Sequence, residues 1–126
     1  MIKTILVSDN DPSTNSIFEF ILQQAGYSVL TATSKTECLK QFESDKKIDL
    51  VLLDITDPTN LDTFRNLQKI NPNLIVLVMT THAITDTLKT AMDLGAYGVV
   101  YKPFDVEEIL IIIETIIKGI PSPTQK

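Results

Sequence analysis

Asp49-Leu-Val-Leu-Leu-Asp54 is the stretch on which the reading of this chain turns. Its apolar run is too short for a helix and does not alternate with polar residues, the pattern of a strand buried on both faces of a parallel sheet. Asp54 stands where that strand would leave the core. In open α/β sheets ligands gather at the carboxyl ends of the strands. A carboxylate there can cap a helix, face water, hold a cation or act as a nucleophile. One loop acid does not choose among these roles, so the flanking segments have to.

Towards the N-terminus, Thr4-Ile-Leu-Val-Ser8 reads as a first strand. Asp9-Asn-Asp11 follows, with Asp11 suited to a helix N-cap and Pro12 to the first helical position. Ile17, Phe20, Ile21 and Gln24-Ala25 keep helical spacing until Gly26. Tyr27–Ala32 reads as a second strand, and Ser34 with Glu37 forms a capping box ahead of Cys38, Leu39 and Phe42. A charged turn, Asp45-Lys-Lys47, leads into the central strand.

Towards the C-terminus, a loop over Ile55–Asn60 precedes a helix marked by Leu61, Phe64, Leu67 and Ile70. Asn71-Pro-Asn73 turns the chain into the apolar strand Leu74–Met79, which ends at Thr80-Thr81. Ile84, Leu88, Ala91 and Met92 make the face of a helix closed by Gly95. Val99-Val-Tyr101 is a short last strand, followed by Lys102-Pro103. Asp105 and Glu108 then open a long final helix to Lys118.

Alternating strands and helices imply an α/β fold, a doubly wound five-stranded parallel sheet with helices on both faces. The flavodoxin-like order 2-1-3-4-5 is expected at this size, and it sets Asp9 and Asp54 face to face across the crevice between the first and third strands.

Composition narrows the class. The 126 residues are 44% hydrophobic and 21% charged, as expected for one soluble domain. The formal net charge of −5 argues against direct binding of nucleic acid, which wants a basic face. No apolar run reaches membrane-spanning length, and Met1-Ile-Lys-Thr leads straight into a strand pattern with no signal peptide apparent. Cys38 is the single cysteine, on an apolar helical position; burial and a cytoplasmic location are expected. His82, the only histidine, reads as an exposed loop residue. The domain is expected to span 1–119, and 120–126 reads as a tail or linker stub.

Taken together, the strand ends supply Asp9, Asn10 and Asp11, then Asp54, then Thr80 and Thr81, then Lys102. Close carboxylates repel one another unless a cation neutralises them. Hard oxygen ligands of this kind select Mg²⁺, which accepts phosphate oxygens as well. A lysine and a hydroxyl beside that cation complete a clamp for a phosphoryl group, which Asp54 could accept as a nucleophile.

At this point the chain resembles a response-regulator receiver domain over essentially residues 2–118. The resemblance rests on Ile5-Leu-Val-Ser-Asp-Asn-Asp-Pro12, Asp49–Asp54 with Pro58 four residues on, Thr80, and Gly95-Ala-Tyr-Gly98 leading to Lys102-Pro-Phe104. It implies that Asp54 is the phosphoacceptor, that Asp9, Asp54 and the backbone carbonyl of Thr56 hold Mg²⁺, with Asn10 or Asp11 as a further ligand, that Thr80 is the switch hydroxyl, and that Lys102 pairs with the phosphate. It further implies a cis Lys102–Pro103 bond, phosphorylation by a sensor histidine kinase, and signalling by protein contact. The contact face would be the fourth helix, fifth strand and fifth helix, towards a downstream protein, an output domain or a second copy. Such a domain assists its own phosphorylation and dephosphorylation without separate turnover.

The chain departs from the family pattern at several positions. Asn10 stands where a second acid is usual; it keeps an oxygen acceptor but drops a charge, so metal affinity is expected to fall unless Asp11 compensates. Asp62-Thr63 replaces an Asp-Gly pair, and a positive φ at Thr63 would be strained, so a different loop is expected there. Thr81 is bulkier than usual beside the switch hydroxyl. Val99 has no ring to act as an aromatic switch, and that role is not transferred to Tyr101. On the last helix, Val106, Ile109, Leu110, Ile113, Ile116 and Ile117 share one face, leaving Ile111 outward among Glu107, Glu114 and Lys118 as a candidate interface residue.

Two other readings compete. Asn10, Thr63 and Val99 also fit a degenerate receiver used as a phosphorylation-independent interaction module. Asp9-x-Asp11-x-Ser13 resembles the nucleophile motif of haloacid-dehalogenase-type phosphatases, which would make Asp9 the phosphorylated residue.

Overall fold

The computed structural model describes residues 2–43, 47–81 and 85–119. The expected turn at Asp45-Lys46, His82, Ile84 and the 120–126 tail lie outside them. Five strand–helix pairs follow in order: β1 (Thr4–Ser8), α1 (Pro12–Gln24), β2 (Ser28–Ala32), α2 (Lys35–Glu43), β3 (Leu50–Asp54), α3 (Asn60–Ile70), β4 (Ile75–Thr80), α4 (Asp86–Asp93), β5 (Gly98–Tyr101) and α5 (Val106–Ile117). All strand pairs are parallel and the order is β2-β1-β3-β4-β5, as the alternation requires. β3 lies at the centre and every residue of it is buried.

Strand alternation sends successive side chains to two separate cores. Leu6, Val51, Leu53, Val76 and Val78 pack with α2, α3 and α4 through Cys38, Phe64, Leu67, Leu88 and Ala91. Ile5, Val7, Leu50, Leu52, Leu77 and Met79 pack with α1 and α5 through Phe18, Leu22, Ile109, Ile113 and Ile116. Phe18 also stacks at a tilt on Phe104, with ring centroids 4.8 Å apart. Cys38 is fully buried; burial pushes its thiol up to about 11, against a smaller lowering by its contact with the Ser8 side chain.

Helix ends follow the sequence chemistry. Asp11 caps α1 by accepting from Ser13 N, Pro12 opens the helix, and Asp105 caps α5 by accepting from Glu107 N. At α2, Ser34 Oγ accepts from Glu37 N, while Glu37 reaches back to the N–H and hydroxyl of Thr33, a step beyond the simple capping box. Gly26 and Gly95 take positive φ just past α1 and α4, where a side chain would be strained.

Two expectations, the face of α1 and Ile70 of α3, are corrected. In α1 the inward residues are Asn15, Phe18 and Leu22, whereas Ile17 and Phe20 are exposed at 49% and 65%. The α1 segment carries apolar residues on several sides, so periodicity does not single out one face. As expected, the chain avoids a positive φ at Thr63: α3 begins at Asn60, Thr63 is buried within it, and no described non-glycine residue has a positive φ. In α3, Ile70 is exposed at its C-terminal end. On α5, Ile111 is 64% exposed as expected, and Ile112 is exposed beside it.

Because β3 has no exposed face, truncation there leaves a cavity. Leu52→Ala is expected to cost about 2–5 kcal/mol, read as a lower midpoint in urea unfolding at unchanged slope. A loss below ~1 kcal/mol would contradict the two-sided burial of β3.

Candidate functional site

All five strands end at one edge of the sheet, and three of them deliver charged groups to a single point. Asp9 follows β1 directly, Asp54 is the last residue of β3, and Lys102 follows β5. The Lys102 ammonium donates to Asp9 Oδ2 at 2.6 Å and to Asp54 Oδ2 at 3.3 Å. Asp9 and Asp54 are 3% and 7% exposed, so their charges are largely withdrawn from water and the bridging lysine is what offsets them.

The remaining oxygens are also engaged. Asp9 Oδ1 accepts from Asp11 N at 2.9 Å, and Asp54 Oδ1 accepts from Thr56 N at 2.8 Å. Each is a two-residue loop-back of a kind that short acidic side chains make at strand ends. Thr80 closes β4 and is buried; its carbonyl accepts the Lys102 N–H at 2.9 Å, so the threonine and the lysine share a backbone link. Thr81 is exposed beyond it. The Lys102–Pro103 bond is cis, as the resemblance implied.

Two neighbours were not singled out from sequence. Asn60 Nδ2 donates to the Asp54 carbonyl at 2.8 Å. Asn15 Nδ2 donates to the carbonyls of Asp9 and Ala32, both at 3.0 Å. In a sequence, asparagines at such places read as helix or turn residues, and no short-range pattern marks a bond across six positions.

The donor set fits a hard divalent cation. Two carboxylates against one ammonium leave net negative charge at a mostly buried point, and each carboxylate oxygen retains further acceptor capacity. The set is lean, however. Among the described residues no group of three acidic, histidine or cysteine side chains is gathered to hold a metal. Asp11 does not make up the difference: its Oδ1 accepts from Ser13 N at 2.9 Å and its Oδ2 from Thr14 Oγ1 at 3.5 Å, so it serves the start of α1. Asn10 is exposed in the same loop.

Burial by itself would depress the Lys102 ammonium, but the bond to Asp9 and the charges of Asp54 and Asp9 outweigh it and hold the group above the ordinary lysine range. A cation whose pKa is raised by folding stabilises the fold fully below its unfolded value and loses that contribution as pH rises through the folded value. Wild type is therefore expected to exceed Lys102→Met in stability by on the order of 1–2 kcal/mol at neutral pH. The gap should hold to about pH 10 and shrink above it. Urea unfolding of both proteins from pH 7 to 11.5 reads this; a gap that widens with pH contradicts the pairing.

Comparison with known proteins agrees with this fold. The family model described as the response regulator receiver domain matches residues 5–114. The chain is 31% identical over 113 residues to the DNA-binding transcriptional regulator NtrC of Azospirillum brasilense, covering 88% of this chain and 23% of that protein. It is 33% identical over 107 residues to the transcriptional regulatory protein ZraR of Klebsiella oxytoca, covering 83% and 24%. It thus spans about a quarter of the length of these relatives. Among solved structures, a response regulator receiver domain protein from Clostridium thermocellum superposes with a TM-score of 0.83 at 33% identity, covering 94% of this chain and 96% of that one. A CheY-like receiver domain protein from Methanospirillum hungatei has a TM-score of 0.86 at 24% identity over 94% and 96%, a likeness of fold. With the family model matched along most of its length, this chain belongs to the response regulator receiver domain family, the phosphoacceptor unit of two-component signalling.

Proposed function

We propose that Asp54 is the residue phosphorylated in this receiver, within a unit spanning residues 1–119. The observation that carries the reading is the Lys102 ammonium between Asp9 Oδ2 and Asp54 Oδ2. It holds a positive charge beside the very carboxylate that would receive the phosphoryl group. A carboxylate oxygen of Asp54 forms the new bond to phosphorus as the bond from phosphorus to the donor breaks, whether the donor is a phosphohistidine or acetyl phosphate. The product is an acyl phosphate on Asp54. Lys102 then pairs with the phosphoryl oxygens, and the Thr80 hydroxyl is drawn towards them.

Receiver domains generally bind Mg²⁺ for phosphorylation. In this chain Asp9, Asp54 and the Thr56 carbonyl would hold it, with Asn10 as a neutral oxygen donor. When bound, the ion supplies positive charge to the phosphoryl oxygens. With Asn10 in place of an acid and Asp11 committed to α1, affinity should be lower than a three-carboxylate site would give.

Receiver domains act through histidine kinases and output domains. Here a sensor histidine kinase would supply the phosphoryl group. Output would run through the face of α4, β5 and α5, by contact with a downstream protein or a second copy rather than with nucleic acid. Tyr101 of β5 and Ile111 and Ile112 of α5 are exposed, and Tyr101, Phe104 and Ile112 help line a groove of about 290 Å³. With no ring at Val99, the change would pass from Thr80 through the β4–β5 backbone link. No helix among the described residues is long and apolar enough to cross a membrane. A cytoplasmic site of action suits the kinase partner.

Incubation with radiolabelled acetyl phosphate and Mg²⁺ tests the assignment. Wild type should label and Asp54→Asn should lose at least about 90% of the label, an effect of the kind expected when a reacting group is removed. Undiminished labelling of Asp54→Asn overturns the assignment. A wild type that neither labels nor binds beryllofluoride in the presence of Mg²⁺ would instead favour the phosphorylation-independent module. Asn10→Asp should tighten Mg²⁺ binding by about tenfold, or ~1.4 kcal/mol, measured by calorimetry; weaker binding would contradict the charge argument.

A further inference from the structure

Both buried carboxylates of the site stand on peptide units that are held the same way. The Asp9 carbonyl accepts from Asn15 Nδ2 at 3.0 Å, and the Asp54 carbonyl accepts from Asn60 Nδ2 at 2.8 Å. In each case the asparagine lies six residues after the aspartate, on the first turn of the helix that follows the strand. The same carbonyls sit where the sheet runs out. The last ladder pairs of β1 involve Ser8, one residue before Asp9, and the last pair of β3 is Asp54 with Met79. The ladder gives one last backbone bond at each end, Asp9 N–H to Ala32 O at 3.1 Å and Ile55 N–H to Met79 O at 2.8 Å, and past it the asparagine amides hold the Asp9 and Asp54 carbonyls themselves.

Asn15 is costly to keep for any other purpose. It is 4% exposed inside α1, where asparagine is a poor helix former because its side chain competes for backbone groups. Its Oδ1 is buried with no hydrogen-bond partner among the described residues. An apolar side chain would satisfy the inward face of α1 without that orphaned acceptor. What the amide does contribute is two N–H bonds, to Asp9 O and to Ala32 O. Ala32 O also receives the Asp9 N–H at 3.1 Å, so a backbone bond and the Asn15 amide together tie Asp9 to the end of β2.

We infer that Asn15 and Asn60 are paired positioning residues, which fix the backbones of Asp9 and Asp54 so that the two carboxylates converge on Lys102 and on whatever cation the site admits. The inference rests on the phosphoacceptor reading for its use, but its geometry can be tested apart from it. A carboxylate swings about its own Cα, so a peptide plane free to tilt carries the oxygens away from the loop N–H groups that they now accept. Those N–H groups, Asp11 N and Thr56 N, are local reporters of each clamp.

The experiment uses the full chain with Asn15→Leu, Asn60→Leu and the double variant. Water exchange of individual amides is measured by NMR without metal. Asn15→Leu should raise exchange at Asp11 N by at least about fivefold while leaving Thr56 N unchanged, Asn60→Leu should do the reverse, and the core amides of Leu6 and Val78 should hold in both. A merely structural role would loosen the sheet amides as well. Titration with Mg²⁺ alone should show affinity reduced by at least about threefold in each single variant, and the acetyl phosphate reaction should lose maximal rate rather than half-saturation. Unchanged exchange at Asp11 N and Thr56 N, or a uniform loss of protection through the sheet, overturns the inference. If wild type takes no label while the exchange pattern is as expected, the clamps stand and the phosphoacceptor reading falls.

Discussion

A single ammonium between two buried carboxylates is the constraint around which this molecule is arranged. Asp9, Asp54 and Lys102 come from three strands and from distant parts of the chain, and the two carboxylates, at 3% and 7% exposure, are costly without a paired cation. Bringing them together requires that β1, β3 and β5 run parallel and end at one edge. The parallel order requires helical crossovers, and these in turn require apolar strands with two buried faces. The all-apolar interior of β3 and the charged cluster at its end are therefore one feature seen from two distances. Breaking the strand order would strand the charges, and removing the lysine would leave the carboxylates opposed.

Much of this was legible in the residues themselves. Uninterrupted apolar runs at β3 and β4, with helix stops at Gly26 and Gly95, are enough to give alternation and hence the sheet order. Asp9, Asp54 and Lys102 were legible because strand-end polar residues stand out against apolar runs. The inward face of α1 was not, because Ile17, Phe18, Phe20, Ile21 and Leu22 offer more than one helical stripe, and the packing of α1 against the sheet selects Phe18 and Leu22. The start of α3 was also obscured. The residues read as a loop through Asn60, whereas Asn60 already enters the helix with its side chain on the Asp54 carbonyl. Bonds from an amide to a carbonyl six residues back have no signature that composition or periodicity can register.

The departures from the usual receiver pattern fall into a consistent picture. Asn10 would bring one charge fewer to a cation held by Asp9 and Asp54, and Asp11 is held by the start of α1. Val99 packs without a ring against the side of the sheet that carries α3 and α4, and Tyr101 is largely at the surface. At the other end of α4, Gln68 of α3 donates to the Leu94 carbonyl and ties the two helices together. The site is thus conservative where charge is paired and altered where charge would be supplied to a metal or where a ring would relay the signal. Such a distribution is what a receiver tuned in cation affinity and output, rather than in its acceptor, would present.

Of the acids at the sheet edge, Asp54 alone is expected to take the phosphoryl group from the donor. Borohydride reduction of the phosphorylated protein, followed by peptide mapping, reads it directly, because an acyl phosphate on aspartate is converted to homoserine at the residue that carried it. The account predicts homoserine at position 54 and at no other acid. Homoserine at position 9 would transfer the chemistry to the phosphatase-like motif and contradict the account.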